Sequence, residues 1–402
     1  MSCRVREYRV TDNGEMQTRL DAKKRRACRQ MNPPRSVVEL AQALVRIPSV
    51  NPHGDPGTDG VGEKRVAEWL VFFLESIGAR VELREVLPDR PNVVARWPGD
   101  SAGKPRLLFA PHTDTVSVEG MTIDPFGGEL RDGKIWGRGA SDTKGPMASM
   151  LWALREMREE LPRLGHEIWF AGLMSEETSQ HGSRALAREE RFDFVIVGEP
   201  TGLDVVHTHK GSAFLYLRTR GRAAHGARPD LGVNAIEKML DGLAVMRTEI
   251  AADFAAQRDP VLGESTLSIG TIRGGSKTNI IPDLCEVSVD MRFVPAHYRA
   301  TIIDEFRERL RRVCPDLEVS ADPAPPLLTD RAHPLIVKLG ECGAKPIGAP
   351  WFCDACFFAE RGMPAVAVGP GSIAQAHTKD EWIAVADLEK GVEFFSTFLR
   401  RL

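Results

Sequence analysis

No apolar run in the 402-residue chain approaches the ~18 residues that would suggest a membrane-spanning helix. A strong charge of either sign is also missing: 53 Lys and Arg face 56 Asp and Glu, a formal net charge of −3. That balance gives no electrostatic reason to expect nucleic acid or an anionic membrane as a partner. Nor is there a disulfide framework, since seven cysteines are an odd number and are scattered through a long chain. Cys353-Asp354-Ala355-Cys356 is the only C-x-x-C, and no second pair exists to complete a zinc site, so its expected role is structural or incidental. Together these absences favour a reducing, cytoplasmic compartment. Internal repeats are absent too.

Residues 1–31 are basic, with Lys23-Lys24-Arg25-Arg26 at their centre, and carry no apolar segment of the kind a secretory signal needs. A disordered extension is expected here, or a folded chain that starts at Met31, in preference to an arm that touches nucleic acid.

What the rest of the chain does have is a strand that ends in chemistry. Leu107-Leu108-Phe109-Ala110-Pro111 reads as a buried strand, and His112-Thr113-Asp114 follows it directly. The pattern repeats. Ile168–Met174 reads as a strand that stops at Ser175-Glu176-Glu177, and Phe194–Val197 as one that stops at Gly198-Glu199-Pro200. Helices are expected over about 60–77, ahead of these strands, and from Pro146 to about Leu161, between the first two. Ser36-Val37-Val38-Glu39 is a capping box for an earlier helix. Strands alternating with helices imply a mostly parallel sheet, whose ligands bind at the carboxyl ends of strands. His112, Asp114, Glu176, Glu177 and Glu199 would then share one edge.

From Ser212 the order becomes β-α-β-β-α-β, the split ferredoxin-like arrangement. Asp322-Pro323-Ala324-Pro325-Pro326 reads as a stiff exit linker. The fold class is therefore α/β, with a smaller α+β domain over 211–323 inserted between two parts of a larger one, 32–210 and 324–402.

His112, Asp142, Glu177, Glu199 and His377 form a mixed nitrogen and oxygen set suited to zinc, with cobalt or manganese as substitutes. Five ligands exceed the need of one catalytic zinc but suit two divalent ions that share a carboxylate. Asp142, in the glycine-flanked turn Gly137–Gly145, is the natural bridge. Asp114 can reach the second ring nitrogen of His112 and orient it. Glu176, next to a ligand but not needed as one, can be the general base. Among the other histidines, His53, His166, His181, His207, His297 and His333 read as surface or core residues.

Pro111-His112-Thr113-Asp114, Gly137–Gly145, Ser175-Glu176-Glu177, Gly198-Glu199-Pro200-Thr201 and Gln375-Ala376-His377 together resemble the di-zinc aminoacylase and carboxypeptidase family. Acetylornithine deacetylase and succinyl-diaminopimelate desuccinylase belong to that family, and the resemblance spans about 34–402. It implies one ion held by His112 and Glu199, a second by Glu177 and His377, and Asp142 between them. It also implies that the inserted domain is a lid and the contact surface of a homodimer. His225, in Gly221–Gly226, would stabilise the oxyanion. Asn279 and Arg292 in the lid, and Gly371 and Ser372 beside His377, would contact substrate. His209-Lys210-Gly211 and the Gly369–His377 loop lie nearer the acetylornithine deacetylase pattern, whereas Phe352-Cys353-Asp354 departs from both. The expected substrate is a small N-acyl amino acid or short peptide. Desuccinylase, carboxypeptidase and dipeptidase remain alternatives, as does a metal-stabilised scaffold without catalysis, which Glu176 and His225 speak against.

Overall fold

The computed structural model describes residues 33–53, 58, 61–99 and 103–402, with the backbone of two short paired strands, Arg9–Val10 and Met16–Gln17. Apart from those strands, the expected disordered extension over 1–31 lies outside the described residues. The chain forms two compact units. Unit 1 is Met1–His207, Thr329–Ile347 and Cys353–Leu402; unit 2 is Thr208–Leu328 and Gly348–Phe352.

Unit 1 opens with α1 (Val37–Val45), which buries Val37, Leu40, Ala41, Leu44 and Val45. The Ser36 hydroxyl caps it by accepting the amide of Glu39 at 3.1 Å. The reciprocal half of the capping box is shifted by one residue: Glu39 accepts the Arg35 amide at 2.8 Å, because the Arg35 guanidinium pairs with the same carboxylate. Helix α2 (Lys64–Ser76) starts four residues later than its periodicity suggested, after Gly62 at φ +87°. It ends where Gly78 turns the chain left-handed and Ala79 donates back to the Leu74 carbonyl at 3.1 Å.

Strands β1 (Arg80–Leu87), β2 (Arg90–Arg96) and β3 (Arg106–Pro111) follow, then α3 (Lys144–Glu156), β4 (Glu167–Gly172), α4 (His181–Glu189), β5 (Phe194–Gly198) and β6 (Val205–His209). The sheet runs β6, the later strand Ala365–Ala367, β5, β3, β4, β2, β1. Its centre is parallel: β3 pairs with β4 and β5, and Ala365–Ala367 with β5. Its flanks are antiparallel, because β1 and β2 form a hairpin and β6 runs against Ala365–Ala367. Leu107, Leu108 and Phe109 of β3 are fully buried, and the Phe109 ring meets Phe395 of the last helix (Val385–Arg400) edge-on at 5.9 Å. Burial of each such side chain contributes about 1.5–3 kcal/mol. This central strand fixes the site, because its last core residues lead directly into His112.

Unit 2 comprises β7 (Gly211–Arg220), α5 (Ala235–Val245), β8 (Thr266–Gly274), β9 (Leu284–Phe293), α6 (Ile302–Val313) and β10 (Glu318–Ala324). The sheet order is β8-β9-β7-β10, antiparallel throughout. One face packs Leu215, Val289 and Met291 against Met239 of α5 and Phe306 and Leu310 of α6. The chain beyond α5 passes through a π-helical turn, Met246–Ile250, and resumes as Ala251–Ala256. Strand β10 takes in three of the five residues expected to be a linker, Asp322–Ala324, and Pro323 pairs with Ala213. As an edge strand it tolerates a residue without an amide hydrogen. Among the described residues no helix is long and apolar enough to cross a membrane, and no disulfide joins the cysteines.

Candidate active site

Four parallel strands of unit 1 deliver their carboxyl ends to one edge. After β3 comes His112, after β4 Ser175-Glu176-Glu177, after β5 Glu199, and after Ala365–Ala367 the loop Gly369–Ser372. His112, Asp114, Asp142 and Glu199 are buried. Asp142 joins two groups of three. His112, Asp142 and Glu199 each offer a donor atom within 4.8 Å of the others, and so do Asp142, Glu177 and His377. The two Asp142 oxygens face opposite ways, Oδ1 toward His112 Nε2 at 2.9 Å and Oδ2 toward His377 Nε2 at 3.4 Å. His377 Nε2 also meets Glu177 Oε2 at 3.0 Å.

His112 Nδ1 lies 2.9 Å from the Asp114 backbone carbonyl. A carbonyl can only accept, so Nδ1 carries a proton, while Nε2 faces Asp142. The Asp114 carboxylate also faces the ring, its Oδ1 3.6 Å from Nδ1. It accepts the amides of Glu176 at 2.9 Å and Glu177 at 3.1 Å, and the Asn51 side-chain amide at 2.8 Å. Asp114 therefore meets His112 through carbonyl and carboxylate alike, and its carboxylate also holds the loop of the two glutamates. A second anchor is Glu63, which accepts the Ser175 amide at 3.2 Å and is itself gripped by Arg90 through bonds of 2.7 and 2.5 Å. Ser175 sits at φ +66°, a conformation that needs such support in a residue with a side chain.

The Asp142 turn is equally constrained. Gly139 has φ +80°, and a Cβ there would lie 2.8 Å from the Thr115 methyl. The Glu381 carboxylate accepts the amides of Gly139, Ser141 and Asp142 at 2.9, 2.7 and 2.9 Å.

The charges do not balance. Burial raises the carboxyl of Glu177 to about 7, with Asp142 adding to the effect. Burial, then Asp142, holds Glu199 well above the carboxylate range, and burial, then Glu199, does the same to Glu176. Burial works against the Asp142 charge, but hydrogen bonds from His112 and His377 outweigh it and lower its pKa. Two buried oxygens, Glu177 Oε1 and Glu199 Oε1, have no hydrogen-bond partner among the described residues, one in each group of three. Crowded carboxylates, two imidazoles and an unsatisfied oxygen on each side of Asp142 fit a pair of divalent cations.

Gly371 and Ser372 lie beside this edge, with backbone groups already engaged: Gly371 accepts the Gly202 amide at 2.8 Å and Ser372 the Ser141 hydroxyl at 3.2 Å. His225, Asn279 and Arg292 belong to unit 2. His225 is exposed, and its turn is tied to that of Asn279 by a 2.8 Å bond from the Gly226 amide. Arg292 pairs with Asp290 at 2.9 Å, its guanidinium 5.7 Å from the Phe214 ring and 5.5 Å from that of Phe352. Among the other histidines, His297 bonds Ser265 at 2.6 Å and His333 stacks on Phe194 at 4.7 Å. Cys353 and Cys356 are buried, which holds both thiols well above their usual range. Sequence reasoning missed Asn51, Glu63, Arg90 and Glu381. None of them ends a strand, and only the fold brings them to the site.

Residues 108–401 match peptidase family M20/M25/M40. Acetylornithine deacetylase of Proteus mirabilis is 31% identical over 366 residues, covering 88% of this chain and 93% of that protein. The enzyme of the same name from Vibrio vulnificus is 29% identical, covering 91% of this chain and 98% of its own length. The M20 family metallo-carboxypeptidase Sso-CP2 of Sulfolobus solfataricus shares the fold with a TM-score of 0.75 at 18% identity, over 91% of this chain and 99% of that one. Bacillus subtilis YXEP, described as a dinuclear metal binding peptidase, has a TM-score of 0.63 at 14% identity, over 94% and 98% of the two chains.

Proposed function

Because the chain belongs to peptidase family M20/M25/M40, we propose that it is a two-metal hydrolase that removes the acyl group of an N-acyl amino acid, in the manner of an acetylornithine deacetylase. The observation that carries this reading is the sharing of Asp142 by two ligand groups. His112, Asp142 and Glu199 would hold one ion; Asp142, Glu177 and His377 would hold the other. Zinc suits this donor set best, with cobalt or manganese as replacements. When bound, the pair supplies Lewis acidity that acidifies a water and polarises the scissile carbonyl.

The chain's own groups do the rest. Glu176 takes the proton of the attacking water and returns it to the leaving nitrogen. It is poised for this because Asp114 holds its backbone amide at the rim of the ligand group. His225 donates to the oxyanion. Arg292 offers a planar fork to the substrate carboxylate, Asn279 assists it, and the Gly371-Ser372 backbone lines the approach. The edge strand β8 of unit 2 supports a homodimer. Neither nucleic acid nor membrane is a proposed partner, and the cytoplasm is the proposed location.

The name shared by the curated relatives favours an acetylated amino acid, while the solved neighbours include peptidases. A panel of N-acetyl and N-succinyl amino acids and dipeptides, offered to the zinc-loaded and cobalt-loaded protein, separates these classes. The highest kcat/KM is expected on an N-acetyl amino acid. Preference for dipeptides would move the assignment to a peptidase, and metal loading without turnover of any amide would sink the hydrolase reading.

A further inference from the structure

Glu381 is 1% exposed, and its carboxylate serves four donors. Three are the amides of Gly139, Ser141 and Asp142, and the fourth is Arg138 Nη1 at 2.9 Å. All three amides belong to the turn that carries Asp142. Without an anion at their centre they would be buried donors lacking an acceptor, which is costly. Arg138, 3% exposed, does not stop at Glu381. The same Nη1 reaches the Thr378 carbonyl at 3.1 Å, one residue from His377, and Nε reaches the Ser117 carbonyl at 2.9 Å. The Gly137 amide adds a bond to the Glu381 carbonyl at 3.0 Å, and the next strand, Trp382–Ala384, pairs with Lys134–Trp136. The pair thus joins the two segments that present Asp142 and His377.

The other ligands have supports of their own. His112 is held by the Asp114 carbonyl, and the Glu177 amide by the Asp114 carboxylate. The His377 side chain is 56% exposed, on a backbone at φ +58°. Packing alone does little to hold it.

Resting on the two-metal reading above, we infer that Glu381 and Arg138 are a positioning pair: together they fix Asp142 relative to His377 and so set the ion affinity of the Asp142–Glu177–His377 group. Glu381→Gln is nearly isosteric but turns an N–H₂ toward amide donors, so it loosens the turn. Arg138→Gln leaves the acceptor for the three amides in place and removes the link to Thr378.

The test is a two-site calorimetric titration of the metal-stripped full chain with Zn²⁺, alongside the visible spectrum of the Co²⁺-loaded protein. Glu167→Gln is the control. Glu167 is also buried and paired with an arginine, Arg106 at 3.2 Å, but it begins β4, at the end away from the site. We expect Glu381→Gln and Arg138→Gln to weaken binding of at least one of the two Zn²⁺ equivalents about 10–100-fold and to alter the Co²⁺ spectrum. Glu167→Gln should change neither. Wild-type affinities and spectrum in Arg138→Gln overturn the inference, even where Glu381→Gln fails to fold. A wild-type chain that takes up no pair of ions overturns the two-metal reading first and this role with it, a result distinct from intact binding in the variants.

Discussion

The carboxylate of Asp114 accepts the backbone amide of Glu176 at 2.9 Å, across 62 residues of sequence. The same residue offers its carbonyl to the His112 ring. One aspartate therefore supports ligand groups on both sides of Asp142, through two different functional groups. Replacing it with Ala removes the carboxylate and keeps the carbonyl. We expect Asp114→Ala to weaken metal binding roughly 10–100-fold, as lost support of ligands usually does, and Asp114→Asn to weaken it less, since one acceptor oxygen survives. Competition with a chromophoric chelator reads this directly; unchanged affinity would mean the Glu176-Glu177 loop holds itself.

Glu176 borders the ligands without joining either group of three. Glu176→Gln should leave two ions per chain by elemental analysis and reduce kcat by about 10²–10⁴-fold, the usual contribution of a positioned general base. A variant that loses metal in proportion to activity would make Glu176 a ligand instead.

Metal loading should release protons. Hydrogen bonds to Asp142 and then Glu177 raise the His377 imidazole to about 10, so at pH 7 it is protonated in the metal-free chain. Ligation requires the neutral ring, so each ion taken up by this group expels a proton and apparent affinity rises with pH below about 10. Titrations in buffers of different ionisation enthalpy count those protons. No net release at pH 7 would show that His377 is already neutral there.

The exposed edge of unit 2 makes the quaternary proposal testable. Among the described residues strand β8 is paired on one side only, and Ile272 on it is 52% exposed. Unpaired apolar edges invite strand pairing between copies. Ile272→Asp should halve the mass seen by light scattering while preserving the circular dichroism spectrum. A wild-type monomer, or a dimer that persists in the variant, would remove β8 from the contact.

The strand ends were legible in the sequence because each couples two signals, an apolar run and a polar stop. His112, Glu177 and Glu199 are of this kind, and the parallel pairing of their strands puts them on one edge. The strand and helix periods change from Ser212, which is the signal for an inserted domain over 211–323; the compact unit takes in Thr208–Leu328 and also Gly348–Phe352, which no local pattern ties to it. Local patterning could not reveal how the ligands are held. Glu381 sits in Lys379-Asp380-Glu381-Trp382, where a buried acid looks like any surface charge. Glu63 reads as part of an amphipathic helix, yet it is fully buried and grips the Ser175 amide through a contact 112 residues away. Period-two spacing places the Asp114 side chain beside His112, but it concerns side chains and could not show that the Asp114 carbonyl makes the 2.9 Å contact to the ring. Pro323 read as a linker because propensity does not know which strand lies at an edge.

Anomalous diffraction from crystals of the zinc-loaded protein shows whether two ions share Asp142. Two zinc peaks are expected, roughly 3.5–4 Å apart as in other two-metal hydrolytic sites, one touching His112 and Glu199, the other Glu177 and His377, with Asp142 between them. A single peak, or two peaks that do not both contact Asp142, would contradict that sharing.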